Sequence, residues 1–187
     1  MSDLNQVIRD MTGVFEFLGI PYVVMGGVAA RAYGLPRPTY DLDFTAAIER
    51  DRLPQVYEAV TSLGYSVSEP YRQGWVDSVG EMPLVKFRLF VEGNGIDVDV
   101  FLAESEFQKS VVERRRREVV EGNQVWLVSA EDLILLKLIA YRPRDVGDIA
   151  DVLFTQGQLN LEYLRDWAKQ LGVEERLELA LGDIEGY

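Results

Sequence analysis

The stretch MGGVAARAYGLPRPTYDLDF, residues 25–44, carries the clearest fold signal in this 187-residue chain. Gly26 and Gly27 follow the apolar run PYVVM, and Asp41 and Asp43 flank a single leucine. An apolar run that ends in paired glycines predicts a buried strand turning into a helix, and DLDFTAAI predicts the strand that follows. The question is why this second strand begins with two acidic residues.

The composition excludes several classes of site. The chain has no cysteine and no histidine, which rules out disulfides, thiolate nucleophiles, iron–sulfur clusters and histidine-based catalysis. Carboxylate, lysine, hydroxyl and backbone chemistry remain, and sites made of oxygen ligands favour hard cations such as Mg²⁺ or Mn²⁺. The net charge of −12 argues against general attraction to nucleic acid and suits a cationic small substrate.

The sequence carries no visible targeting or membrane signal. The opening residues MSDLNQVIRD lack the basic and apolar regions of a signal peptide. Its apolar runs are shorter than the roughly 20 residues that span a bilayer. We therefore expect a cytoplasmic protein without a membrane partner.

Outside the opening stretch, the pattern predicts an α+β fold instead of a regular alternation of strands and helices. Apolar residues at helical spacing mark helices over residues 3–19 and 53–63. The segment LVKFRLFVEGNGIDVDVFLA alternates apolar and charged residues before the turn letters EGNG, which predicts a β-hairpin.

The second half of the chain is predicted to be mainly helical. Ser105 and Gln108 form a capping-box pattern that predicts a helix to about Val120. QVWLV predicts one more strand. Ser129 then caps an apolar helix running to Tyr141, and two or three further helices complete the chain.

The change in pattern near residue 128 divides the chain into two parts. Residues 1–128 are predicted to form the α+β core. Residues 129–187 are predicted to form a helical C-terminal portion packed on that core.

The acidic residues of two predicted strands indicate a site. Asp41 and Asp43 project from the same face of their strand, and so do Asp97 and Asp99 in IDVDVFLA. Carboxylates this close repel each other unless a cation lies between them. An isolated pair is usually a solvated strand face, but acidic residues inside an apolar strand are costly to bury. If the two strands are neighbours, three carboxylates converge as a two-cation site for phosphoryl transfer requires.

The residues before the first acidic strand fit the same chemistry. Gly26 and Gly27 have no Cβ, so their backbone can approach a phosphate, and the next helix offers free N–H groups at its N-terminus. A tight strand–helix connection explains the glycines equally well. Arg37 and Thr39 lie in the following loop, where they either contact phosphate or are solvated.

Gly26–Gly27, RPTYDLD and VDVF together resemble the nucleotidyltransferase superfamily typified by DNA polymerase β. Within it, the chain resembles bacterial nucleotidyltransferases related to abortive-infection toxins, and SAEDLILLKLIAYRPRDVGDIADVL is similar to a later segment of those proteins. The likeness covers about residues 20–155. It implies a mixed sheet of roughly five strands flanked by helices. It also implies Mg²⁺-dependent transfer of a nucleoside monophosphate from an NTP to a hydroxyl, with release of pyrophosphate.

The resemblance also implies roles for the acidic residues. Asp41 and Asp43 match the residues that hold the two metals. Asp99 matches the third carboxylate, because VDVF fits the family pattern better than the GIDV setting of Asp97. By this likeness Asp99 binds one metal and helps to deprotonate the acceptor.

The nucleotide-binding residues are assigned in the same way. By resemblance, Gly26 and Gly27 line the triphosphate. Lys137 has apolar neighbours on its helix, so it either snorkels to the surface or points at an anion in a cleft; the resemblance favours contact with the triphosphate. Asp145 is predicted to cap the next helix, with Asp148 completing the box. The family segment also makes Asp148 a candidate site residue.

The basic run ERRRRE, residues 113–118, is predicted to lie on a helix. Consecutive helical residues point about 100° apart, so the four arginines cannot face one groove. This favours a solvated helix with local salt bridges. If the acceptor is RNA, the run is the best basic contact.

The sequence is compatible with three hypotheses about the acceptor and the activity. One reading is a toxin-like activity on tRNA or protein, with a cognate antitoxin protein as partner. A second is an aminoglycoside-type antibiotic nucleotidyltransferase, which suits the acidic balance of the chain. A third is a catalytically silent module that binds a nucleotide or a partner. The presence of both acidic strands argues against the third reading.

Overall fold

The computed structural model describes residues 3–79, 81–91 and 94–185. Within these residues, eight strands belong to a single sheet. The strands are β1 Tyr22–Met25, β2 Asp41–Ala46, β3 Ser66–Val67, β4 Asp77–Val79, β5 Met82–Val91, β6 Asn94–Leu102, β7 Arg116–Val120 and β8 Asn123–Leu127. The α-helices are α1 Asp3–Phe17, α2 Gly26–Tyr33, α3 Leu53–Ser62, α4 Glu69–Arg72, α5 Glu106–Glu113, α6 Ala130–Ala140, α7 Pro143–Thr155, α8 Leu161–Gln170 and α9 Glu174–Glu185.

The sheet is mixed, which confirms the α+β prediction. Its strand order is β3-β5-β6-β2-β1-β8-β7, and β4 pairs with the start of β5. Strand β2 is antiparallel to β1 and parallel to β6, and β1 is parallel to β8. The sheet is wider than the roughly five strands expected, partly because β3 and β4 are short additions beside β5.

The pairing of β2 with β6 brings the two acidic strands together. Asp41 lies opposite Asp97, and Asp43 lies opposite Asp99. Because side chains alternate along a strand, these four carboxylates share one face of the sheet. The hairpin of β5 and β6 is confirmed, although Glu92 and Gly93 of its turn lie outside the described residues.

The opposite face of the sheet packs into the hydrophobic core. Leu42 and Phe44 of β2 are fully buried on this face. The rings of Phe15 in α1 and Tyr22 in β1 lie 5.2 Å apart and both pack against Phe44. Strand β2 therefore has an apolar face that packs into the hydrophobic core and an opposite face that carries the carboxylates.

The predicted helix through ERRRRE is wrong. Helix α5 begins with the predicted cap at Ser105 but ends at Glu113, and β7 follows it. Strands β7 and β8 are joined by a turn at Glu121 and Gly122, whose φ angles are +50° and +80°. Positive φ at both central residues is the requirement of the two-residue hairpin turn, so EG within VVEGNQVW was a turn signal.

The α6 prediction is confirmed at both ends. The Ser129 hydroxyl accepts a hydrogen bond from the backbone N–H of Asp132 at 3.1 Å, and the helix ends before Tyr141, which has a φ of +47°. Helix α2 begins at Gly26, so the glycine pair forms its first two residues.

The predicted cap of α7 is wrong in detail. This helix begins at Pro143, whose missing N–H costs nothing at the first helical position. Asp145 lies inside the first turn and accepts a hydrogen bond from the backbone N–H of Arg142 at 3.1 Å. Asp148 does not complete a box, because its carboxylate binds Arg37 and Lys137.

The division at residue 128 stays a prediction. Helices α6 and α7 pack on α2, and the rings of Phe107 in α5 and Trp167 in α8 lie 5.2 Å apart. Buried residues from both parts belong to one hydrophobic cluster. In the described part of the chain, every helix is too short or too polar to cross a membrane.

Candidate active site

A cavity of about 320 Å³ lies where the acidic face of the sheet meets α6. Its polar wall contains four of the residues predicted from the sequence, together with two that were not predicted. The predicted residues are Gly26, Asp43, Asp99 and Lys137, and the others are Arg142 and Asp145. Apolar side chains such as Met82, Phe101 and Leu133 form the rest of the wall.

Asp43 is the central acidic residue of this cavity. Burial, together with the negative charges of Asp41 and Asp99, raises the pKa of its carboxyl to about 6. The charges of Lys137 and Arg142 act in the opposite direction. The Asp43 carboxylate is thus in an environment that disfavours its charged form and would favour a bound cation.

The two flanking carboxylates are each paired with other groups. The Thr39 hydroxyl donates to Oδ1 of Asp41 at 2.9 Å, and Nη2 of Arg144 lies 3.8 Å from Oδ2 of the same residue. Nζ of Lys86 donates to Oδ2 of Asp99 at 2.9 Å. Among the described residues, no group of three acidic side chains is already arranged to hold a metal ion.

Asp97 lies outside the cavity. Its carboxylate accepts two hydrogen bonds from the Arg88 guanidinium, at 2.6 Å and 2.7 Å, and its side chain is 52% exposed. Asp99 lines the cavity instead. The choice of Asp99 over Asp97 as the third carboxylate stays a prediction, and this placement supports it.

The glycine pair is packed against the acidic strand and its preceding loop. Gly26 has a φ of +63°, and a Cβ there would overlap the Asp43 carboxylate. A Cβ on Gly27 would overlap the Thr39 hydroxyl. Met25, at the N-cap of α2, supplies no side-chain hydrogen bond to the helix. The N–H groups in the first turn of α2 can therefore donate to an anion bound beside Asp43.

Lys137 does not snorkel, because its side chain is only 6% exposed. Its Nζ lies 2.8 Å from Oδ1 of Asp145 and 2.6 Å from Oδ2 of Asp148. Burial acts to raise the pKa of Asp145, but hydrogen bonds from Arg142 and Lys137 outweigh it and lower that pKa to about 2. Lys137 therefore lines the cavity as part of a buried ion-pair network.

Arg37 joins this network from the loop before β2. Its Nε and Nη2 donate to the two oxygens of Asp148 at 2.6 Å and 2.7 Å. Burial acts to raise the pKa of Asp148, and the hydrogen bonds of Arg37 and Lys137 outweigh it and lower the pKa. Arg37 is therefore not simply solvated, because it ties the loop that carries Thr39 to α7.

Sequence reasoning missed Lys86, Arg142 and Arg144. Lys86 was visible only as a charged residue alternating with apolar ones in a hairpin strand. Its position beside Asp99 depends on the register of β5 against β6. The two arginines stand in the segment YRPRDVGD, in which only the aspartates match a capping pattern.

The arginines of ERRRRE make contacts within the protein. Nε of Arg114 lies 3.2 Å from Oδ2 of Asp132, and its guanidinium carbon lies 3.8 Å from the centre of the Tyr163 ring. Arg115 and Arg117 lie over the Trp126 ring, at 4.7 Å and 4.9 Å. Arg114 therefore connects the end of α5 to α6 and α8, and Arg115 and Arg117 pack on β8.

Comparisons with known proteins identify the family. Residues 2–178 match the family described as "Nucleotidyltransferase of unknown function (DUF6036)". No curated protein sequence matches the chain significantly.

Solved structures of similar fold are also nucleotidyltransferases. An antigenic nucleotidyltransferase-like protein from Paracoccidioides brasiliensis is 19% identical, with a TM-score of 0.56 over 96% of this chain and 92% of that one. ANT(2″)-Ia in complex with adenylyl-2″-tobramycin is 15% identical, with a TM-score of 0.57 over 90% and 98%. The lincomycin-bound lincosamide antibiotic adenylyltransferase LnuA is 15% identical, with a TM-score of 0.50 over 81% and 96%. At these identities the likeness shows the fold alone.

Proposed function

We propose that this chain, which belongs to the DUF6036 family of nucleotidyltransferases, transfers a nucleoside monophosphate from an NTP to a hydroxyl of an acceptor. The observation that carries the proposal is the placement of Asp43. Its carboxylate lies between Gly26 at the start of α2 and Asp99 on the neighbouring strand, in a cavity of about 320 Å³. Phosphate-binding backbone and paired carboxylates thus meet at one point.

The donor set fits a hard divalent cation. Asp41, Asp43 and Asp99 offer only carboxylate oxygens, which Mg²⁺ and Mn²⁺ prefer. Their mutual repulsion helps to raise the pKa of Asp43, and a bound cation would relieve it. We assign these three residues as the metal ligands. Bound there, Mg²⁺ or Mn²⁺ supplies charge stabilisation for the phosphoryl group in transfer.

The other residues bind and orient the substrates. We assign the backbone of Gly26 and Gly27 to the triphosphate, with Thr39 beside it. Lys137 contributes positive charge in the wall of the cavity, and Arg37 is joined to it through Asp148, which both side chains bind. Asp99, on the far side of Asp43 from α2, accepts the proton of the incoming hydroxyl.

Two acceptor classes are proposed. The first is tRNA or a protein in a toxin-like reaction in the cytoplasm, with an antitoxin as partner. The second is a cationic aminoglycoside. It is supported by the net charge of −12 and by the fold shared with ANT(2″)-Ia, whose structure contains adenylyl-2″-tobramycin.

The metal assignment is tested by thermal unfolding with and without MgCl₂ or MnCl₂. We expect divalent cations to raise the melting temperature by mass action at pH 7.5. The shift should be smaller at pH 5, because a proton then competes for the Asp43 carboxylate, whose pKa is about 6. Asp41→Asn combined with Asp43→Asn should abolish the shift, and Asp97→Asn should keep it. A double variant with the full shift would contradict the assignment.

The reaction itself is tested with each α-labelled NTP and Mg²⁺, offered to tRNA, aminoglycosides, cell lysate and the protein alone. We expect label transfer to one acceptor class, lost in Asp99→Asn and kept in Asp97→Asn. If neither acceptor class is labelled, or if Asp97→Asn loses as much transfer as Asp99→Asn, the proposed reaction or its third carboxylate is wrong.

A further inference from the structure

The third carboxylate already has a cationic partner on the next strand. Lys86 of β5 lies directly opposite Asp99 of β6, and its Nζ donates to Oδ2 of Asp99 at 2.9 Å. The Lys86 side chain is 43% exposed, whereas the Asp99 side chain is 25% exposed. The pair thus lies at the edge of the cavity, where the lysine can leave toward solvent without opening the core.

The ammonium and a divalent cation compete for the same carboxylate. Oδ2 of Asp99 accepts from Lys86, so the ion pair takes up one lone pair of this oxygen and holds a positive charge beside it. A cation that takes the other oxygen of Asp99 would still lie within a few Å of the ammonium, and like charges at that distance repel. Tight binding at Asp99 therefore requires Lys86 to move away.

The two basic residues of β5 on this face, Lys86 and Arg88, hold their aspartates in different ways. One step further out on the same face, Arg88 binds Asp97 through two hydrogen bonds, at 2.6 Å and 2.7 Å. A guanidinium holds a carboxylate by both oxygens, whereas an ammonium is a point charge on a flexible stem. The more easily released Lys86 pairs with Asp99, which lines the cavity. The bidentate Arg88 pairs with Asp97, which lies outside the cavity.

We propose that Lys86 is a positioning residue that holds Asp99 and gives it up to a divalent cation, so that the Lys86–Asp99 ion pair and cation binding at Asp99 exclude one another. The proposal rests on the proposed function, because it takes Asp99 as a metal ligand. Its consequence is that residue 86 sets the affinity for the cation.

The test is calorimetric titration of MnCl₂ into the wild-type chain and four variants at pH 7.5. Lys86→Met removes the competitor and should tighten binding roughly two- to fivefold, the range of a partly exposed ion pair. Lys86→Arg keeps the charge but adds a second hydrogen bond, so it should weaken binding about twofold or more. Arg88→Met is the matched control and should change affinity less than about twofold, while Asp99→Asn should weaken it most.

A second measurement needs no variant. The ¹³Cε and ¹⁵Nζ resonances of Lys86 in the wild-type chain should shift as MgCl₂ is added and saturate with the binding curve, while resonances of exposed Lys109 should not. Unchanged affinity in Lys86→Met, tighter binding in Lys86→Arg, or a Lys86 signal unaffected by the cation would overturn the inference and leave the metal assignment intact. If calorimetry detects no cation binding to the wild-type chain or to any variant, the metal assignment itself is contradicted.

Discussion

Lys137 shows at the scale of one residue how partners decide the role of a side chain. On its helix it is surrounded by apolar residues, and that pattern alone suggests a lysine that could be replaced by methionine at no cost. In the fold its Nζ lies between the carboxylates of Asp145 and Asp148, which are both buried. Removing the charge therefore leaves two acidic groups that had been held ionised by it.

We expect Lys137→Met to lower the free energy of unfolding by about 3 kcal/mol, the lower end for breaking a buried ion pair. The lower end applies because Arg142 still binds Asp145 and Arg37 still binds Asp148. Urea denaturation at pH 7.5 measures the change. The control is Lys109→Met, where an exposed lysine pairs with exposed Glu106, and we expect a much smaller change in the free energy of unfolding. Equal costs would contradict the buried network.

At the scale of elements, the N-cap of α6 connects local sequence to the site. Ser129 is fully buried; its hydroxyl accepts from the backbone N–H of Asp132 and donates to Oδ2 of Asp132 at 2.6 Å. Ser105 caps α5 in the same way, but Ser105 is exposed. The two serines thus have the same capping geometry and different surroundings.

We expect Ser129→Ala to cost about 2 kcal/mol, the upper end for loss of an N-cap, because the buried Asp132 also loses a donor. Ser105→Ala should cost about 1 kcal/mol. Only Ser129→Ala should weaken NTP binding, since α6 carries Lys137 into the cavity. Urea midpoints and calorimetric titration of Mg·ATP give both numbers. If Ser105→Ala weakens NTP binding equally, the effect is general and not carried by α6.

At the scale of the whole molecule, the question is whether residues 1–128 and 129–187 are separate units. Leu164 and Leu177 of the helical portion are fully buried in the same hydrophobic cluster as Phe44 of the sheet. The Arg37–Asp148 pair joins positions 111 residues apart across the two parts. Contacts of this kind favour one cooperative unit.

We predict a single unfolding transition. Trp126 lies in β8 and Trp167 in α8, so variants that keep only one tryptophan report on each part separately. Combining Trp75→Phe with Trp167→Phe or with Trp126→Phe gives the two reporters. Their urea midpoints should agree with each other and with far-UV circular dichroism. A Trp167 transition at lower urea would instead support two domains.

Much of the fold could be predicted because its signals are local. The spacing of apolar residues, every two in a strand and every three or four in a helix, predicts the strands β1 and β2, the β5–β6 hairpin and helix α6. Capping side chains mark where α6 begins. Strand β7 was mistaken for helix because RREVV is too short to show a period. It becomes a strand by pairing with β8, and that pairing is not visible within the segment itself.

The amino-acid composition and the strand patterns establish which chemistry is available to this protein. Without histidine or cysteine, its catalytic groups are restricted to carboxylates, amines, hydroxyls and the backbone. The two acidic strands predict where the carboxylates form a site. Which charges meet depends on the three-dimensional fold, which places Asp43 beside Asp99, Lys86 on Asp99, and Lys137 between two aspartates. The reason is that strand and helix signals depend on neighbours along the chain, whereas an ion pair depends on the register and packing that bring distant residues within about 4 Å.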